Sequence, residues 1–136
     1  MKKFTVHLDD IIPFIVTEEG IKYLESIQSE AFEGNRINCK VYELLPLFYE
    51  FCIQNSGVEP LKNFEYSEVE LVLSHFGSEF LEKKAHSLKI KKTRNKKIIR
   101  CTFNELVREF GEYYDEKYIT IYNPFLYNEI KLYINK

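Results

Sequence analysis

The stretch that decides the fold reads Lys83-Lys84-Ala85-His86-Ser87-Leu88-Lys89-Ile90-Lys91-Lys92-Thr93-Arg94-Asn95-Lys96-Lys97-Ile98-Ile99-Arg100-Cys101-Thr102. Apolar residues alternate with polar ones at Leu88 and Ile90, and again at Ile99 and Cys101. Alternation of period two is the pattern of a half-buried strand. Between the two runs, Thr93 to Lys97 is polar throughout, with Asn95 the residue best suited to a positive φ. The stretch therefore predicts a β-hairpin over 88–102, with strands at Leu88–Lys92 and Ile98–Thr102 and a charged tip.

The same stretch carries the chain's strongest charge signal. Residues 83–100 hold nine of the nineteen Lys and Arg residues and no Asp or Glu. Residues 1–82 hold six basic and fifteen acidic residues, and 101–136 hold four and six, so a net charge of −2 conceals a +9 block behind a −9 one. Charge separated in this way is a statement about partners and association rather than about fold.

Working back from the hairpin, Ser67-Glu68-Val69-Glu70 has the form of a capping box. Val69, Val72, Leu73, Phe76 and Phe80 follow at helical spacing, which predicts a helix from 67 to about 84. Glu68, Glu70, Glu79 and Glu82 fall off its apolar stripe and form an acidic face. Further back, Leu44, Leu47, Phe48, Phe51 and Cys52 predict a central core helix from about Glu43 to Asn55, with Pro46 in its first turn. Thr17 is placed to cap a helix over about 17–32, with Gly34 placed to end it. Asp9-Asp10 reads as the start of a helical turn that tolerates Pro13, and Lys3 to Leu8 as a short edge strand.

Beyond the hairpin, Thr102-Phe103-Asn104-Glu105 is a second capping box. It opens a helix to about Tyr114 that buries Phe103, Leu106, Val107 and Phe110. Lys117–Tyr122 is rich in strand formers. The tail fits a helix capped by Asn123 or a strand alternating at Ile130, Leu132 and Ile134; the strand is preferred, as a partner for 117–122. The fold class expected is α+β: a helical N-terminal half packed with a small antiparallel sheet that includes the basic hairpin. At 136 residues, and with no linker rich in Gly, Pro or Ser, 1–136 is expected to be one domain.

Composition narrows the class. Apolar content of 45% and charged content of 29% describe an ordered globular chain, and no apolar run approaches the ~18 residues of a membrane span. Asp9 and Asp10 interrupt any secretory signal, and Cys39, Cys52 and Cys101 are odd in number and unpaired in spacing. A cytoplasmic protein with reduced, buried thiols is expected. No motif for a metal, nucleotide cofactor or catalytic nucleophile occurs, so no cofactor and no enzyme activity are expected. His7, His75 and His86 stand apart from one another; His86 among lysines is the one candidate general base for phosphodiester chemistry.

Two partner classes remain. The first expectation is a small non-enzymatic inhibitor of the immunity or antitoxin sort, docking through Glu68, Glu70, Glu79 and Glu82 on a basic nuclease or nucleic-acid-binding protein. The alternative is nucleic acid held by Lys89, Lys91, Lys92, Arg94, Lys96, Lys97 and Arg100. A helix–helix–hairpin order resembles a winged helix in outline, with 88–102 as the wing, although the carboxylates of the preceding helix would repel phosphates. Six of ten tyrosines lie in the last 24 residues, and Tyr118 and Tyr122 would share one strand face as an aromatic contact surface or base-stacking platform.

Overall fold

A computed structural model describes residues 2–27, 32–62, 67–86, 88–113 and 122–134. In chain order the elements are β1 (Lys2–His7), β2 (Ile11–Ile15), α1 (Glu18–Ser26), β3 (Phe32–Glu33), β4 (Arg36–Lys40), α2 (Val41–Leu47) and α3 (Tyr49–Gln54). There follow β5 (Ser67–Leu73), α4 (His75–Glu82), β6 (Ile90–Thr93), β7 (Lys96–Cys101), α5 (Phe103–Phe110), a 3-10 turn at Gly111–Tyr113, and β8 (Glu129–Ile134). The fold is α+β, as the hairpin led us to expect. One antiparallel sheet has five strands in the order β1-β8-β5-β7-β6, and a smaller one has three in the order β2-β4-β3.

The large sheet has one covered and one open face. On β5 the buried residues are Val69, Leu71 and Leu73, and on β7 they are Ile99 and Cys101. Register places Val69 opposite Cys101 and Leu71 opposite Ile99, so these side chains lie on one face. With Ile130 of β8 and the buried Phe103, Leu106, Val107 and Phe110 of α5, they form the core. The other face carries Glu68, Glu70, Val72, Ile98, Arg100, Lys131 and Tyr133. No described helix packs over that second face, and none of its residues is fully buried.

The β-hairpin forms with a tighter turn than expected. β6 and β7 meet around Arg94 and Asn95, and Arg94 rather than Asn95 takes the positive φ, at 33°. The edge strand Lys2–His7 is present, and β8 confirms the strand reading of the tail. Both edges of β8 are taken, one by β1 and the other by β5. The expected strand at 117–122 falls largely outside the described residues. The helix expected to reach 32 is shorter: α1 ends at Ser26 with Ile27 as its C-cap, and Phe32 belongs to β3 instead.

The helix expected over 67–84 is instead a strand followed by a short helix. Glu68-Val69-Glu70-Leu71-Val72-Leu73 supports period two as well as helical spacing, and pairing with β7 and β8 decides for the strand. The helix begins after Ser74, whose hydroxyl accepts from the Gly77 N–H. The outline of a winged helix therefore lacks its reading helix. Nor does Asp9-Asp10 start a helix: Pro13 lies in β2, opposite Asn38 on an edge strand, where its missing N–H breaks no interior ladder. Gly34, with φ 64°, makes the β3–β4 turn. Pro46 lies inside α2, and the expected core helix is divided at Phe48 into α2 and α3.

Both capped helices start where their sequences place them. Thr17 accepts from Gly20 N–H, and Thr102 and Glu105 complete the capping box of α5. Asn104, in the first turn of α5, is almost wholly buried. Its amide donates to the carbonyls of Asn55 and Val58 and accepts from the N–H of Gly57, which ties the loop after α3 to α5.

Glu59 in the same loop accepts from the Asn104 N–H at 3.1 Å. Burial raises its carboxyl from 4.5 to about 7, opposed by bonds from Asn104 and Thr102. The folded protein thus holds this proton to higher pH than the unfolded chain. The stability it brings is complete below about pH 4.5 and is lost as pH rises to about 7. Glu59→Gln is expected to remove that decline, so denaturant midpoints at pH 5 and pH 8 should lie closer together than in the parent; an unchanged gap contradicts the assignment.

Candidate nucleic-acid interface

The fold divides the nine cations of 83–100 into two sets. Lys84, Lys97 and Arg100 are engaged with carboxylates. Lys84 lies 3.5 Å from Glu109 and 3.6 Å from Glu112. Lys97 Nζ donates to the Ser78 hydroxyl at 2.8 Å and to Glu82 at 3.2 Å, and this bond holds the Glu82 carboxyl below its usual range. Arg100 Nε donates to Glu68 at 2.8 Å, and its guanidinium lies 4.0 Å from the centre of the Tyr133 ring.

The second set is unpaired. Among the described residues, Lys83, Lys89, Lys91, Lys92, Arg94 and Lys96 make no ion pair with a carboxylate, and all are exposed. Five of them lie on or beside β6 and its turn, at the outer edge of the large sheet. Register turns Lys91 and Lys96 to the open face and Lys92 to the helix side, with Arg94 at the tip. Lysines along an edge strand also discourage edge-to-edge association, so some of this charge has a protective use. Cations that no internal carboxylate neutralises keep their charge for a partner.

The acidic face inferred from a single helix is distributed differently. Glu68 and Glu70 are on β5, and Glu79 and Glu82 are on α4. Glu68 and Glu82 are bound by Arg100 and Lys97. Glu70 lies 3.9 Å from Lys131 and accepts from the Tyr133 hydroxyl. Glu79 pairs with His75, one turn earlier. The repulsion that Glu68, Glu70 and Glu82 pose to phosphates is therefore reduced by Arg100, Lys131 and Lys97.

Aromatic rings join the basic edge at one end of the sheet, and only the fold places them there. The segment 122–128 is fastened to the end of β5: Phe125 bridges to Leu73, and Leu126 N–H donates to Val72 O. Ser74 N–H and its hydroxyl bond to the carbonyls of Pro124 and Asn123. Gly77 is required here, since a Cβ would lie 2.2 Å from the Pro124 oxygen. Held this way, Tyr122 packs edge-on against Phe76, with ring centres 5.1 Å apart, and both are partly exposed. Tyr127 takes Lys96 Nζ over its ring at 5.0 Å. Tyr118 lies outside the described residues. Tyr127 was missed because its place depends on a contact with β5 more than fifty residues earlier.

The other candidates are dispersed. His7 is on the edge strand β1, His75 opens α4, and His86 lies between α4 and β6. Among the described residues no three His, Cys, Asp or Glu side chains converge as metal ligands would. Cys39, Cys52 and Cys101 are buried and free. Burial pushes the thiols of Cys39 and Cys52 up to about 12 and raises that of Cys101 as well, so none is poised as a nucleophile. No described helix is long and apolar enough to cross a membrane. No protein-family model, curated protein or solved structure matches the chain.

Proposed function

We propose that this protein is a non-enzymatic binding module whose working surface is the β6–β7 edge together with the adjoining open face, and that its ligand is single-stranded nucleic acid. One observation carries the reading. Lys89, Lys91, Lys92, Arg94 and Lys96 make no ion pair among the described residues, and Lys96 lies over the exposed ring of Tyr127 on the open face, whereas Lys97 and Arg100 of the same hairpin are paired with carboxylates. Cations that track phosphates, interleaved with rings on which bases stack, are the general means of holding a single strand. A duplex gives the rings nothing to stack on and would engage the cations alone.

A fluorescein-labelled single strand of about twenty nucleotides is expected to bind at about 50 mM salt, more tightly than a duplex of the same sequence. Absence of binding at that salt removes this reading.

A second reading has its own observation. Glu18, Glu19, Glu25, Glu33, Glu43 and Glu50 are exposed and make no ion pair among the described residues. These carboxylates would suit a basic protein partner, in the manner of an inhibitor or immunity protein. The free buried cysteines support a reducing compartment such as the cytoplasm for either reading. Recovery of a stoichiometric basic protein from native extract, together with no affinity for nucleic acid, would favour the second.

A further inference from the structure

We propose that a cleft on the open face of the large sheet is a subsite for one unstacked nucleobase of the bound strand, an inference that rests on the single-strand reading above. The cleft measures about 190 Å³. Pockets that enclose a drug-sized ligand run to roughly 300–1,000 Å³. The space thus suits one heterocycle, with its sugar and phosphate left outside. Val72 and Ile98, opposite each other in the β5–β7 register, supply an apolar floor. Tyr127 forms a wall, and its position is fixed by Phe125, which is buried and bridged to Leu73.

The polar groups around the rim match the parts of a nucleotide. Lys96 and Lys131 stand at the cleft, the former with its ammonium over the Tyr127 ring. A base stacked on that ring takes the place of the ammonium, which is then free to meet a flanking phosphate. Glu129 lines the cleft and, among the described residues, has no side-chain hydrogen bond or ion pair. Glu70, the other carboxylate, is already held by Lys131 and the Tyr133 hydroxyl. An unengaged carboxylate accepts from exocyclic amino groups. The cleft is thereby selective for bases that carry an amino group, cytosine among them, over uracil and thymine.

The test compares two labelled oligomers with equal numbers of phosphates, an oligodeoxycytidylate and an abasic strand, on the full chain. Tyr127→Ala is expected to weaken the first about tenfold, within the range of a lost base–aromatic stack, and to leave the second unchanged. Tyr127→Phe, which keeps the ring, is expected to restore the parental affinity. Equal weakening on both oligomers would mean that the ring serves only to position Lys96, and would overturn the subsite. So would no change on either oligomer. If the parent protein binds neither oligomer, the single-strand reading itself fails and the subsite with it.

Discussion

K91E/K92E/R94E is expected to bind a labelled single strand at about 50 mM salt at least ~100-fold more weakly than the parent, with a melting temperature almost unchanged. The stability half follows from the packing. The three side chains are exposed and make no ion pair among the described residues; Lys92 acts on Glu82 only through a minor electrostatic attraction, so their replacement breaks no close internal contact. Surface changes of this kind usually fall within about ±0.5 kcal/mol. The binding half follows from electrostatics, since three attractions to phosphate become three repulsions at contact distance. A contrast makes the result specific. K97Q/R100Q removes the same sort of charge from the same hairpin, but these cations are already bound to Glu82 and Glu68. Its loss of affinity is expected to be much smaller. Equal losses from the two variants would mean that net charge alone matters. Unchanged binding after the tip reversal would remove the hairpin from the interface.

The largest stability effect is expected at Phe110. Its ring is fully buried, with ring centres 5.5 Å from Phe80, 6.3 Å from Tyr113 and 5.1 Å from Phe125. These residues come from α4, from the 3-10 turn and from the segment that presents Tyr127. Phe110→Ala removes the ring common to all three and leaves a cavity that the surrounding secondary structure closes only in part. A loss of about 4 kcal/mol is expected, by denaturant titration. That corresponds to a melting temperature lower by roughly 10–20 °C for a chain of this size. Because Phe125 also loses its anchor, affinity for a single strand should weaken even where the variant remains folded. A loss below about 1 kcal/mol would show that this aromatic cluster does not hold α4, α5 and the 122–128 segment together.

The sequence made the hairpin legible because everything that specifies it is local: alternating apolar residues, a polar turn and no competing pattern. The same is true of the caps at Thr17 and Thr102, whose partners lie three residues away. Residues 67–73 were misread because Val69, Val72, Leu73 and Phe76 satisfy a helix while Val69, Leu71 and Leu73 satisfy a strand. The choice between them is made by β7 and β8, which are distant in sequence. Pro13 misled for a similar reason, since a proline in an edge strand looks like a helix start until the partner strand is known. At the candidate site the cations could be read directly, but their pairing could not. Whether Lys97 and Arg100 are free or bound depends on where Glu82 and Glu68 fold. Tyr127 offered no local signal, because the bridge from Phe125 to Leu73 sets its position.

The most direct test is the dependence of single-strand affinity on salt, measured by anisotropy from about 50 to 200 mM. Each phosphate neutralised on a single strand contributes about 0.7 to the slope of log K against log salt. Engagement of Lys89, Lys91, Lys92, Arg94 and Lys96 together gives an expected slope of about −3.5. In K91E/K92E/R94E the slope should shrink to roughly −1.4, that of the two remaining contacts. A parental slope near zero, or one that the tip variant leaves unchanged, would contradict the assignment of this hairpin as a phosphate-binding edge.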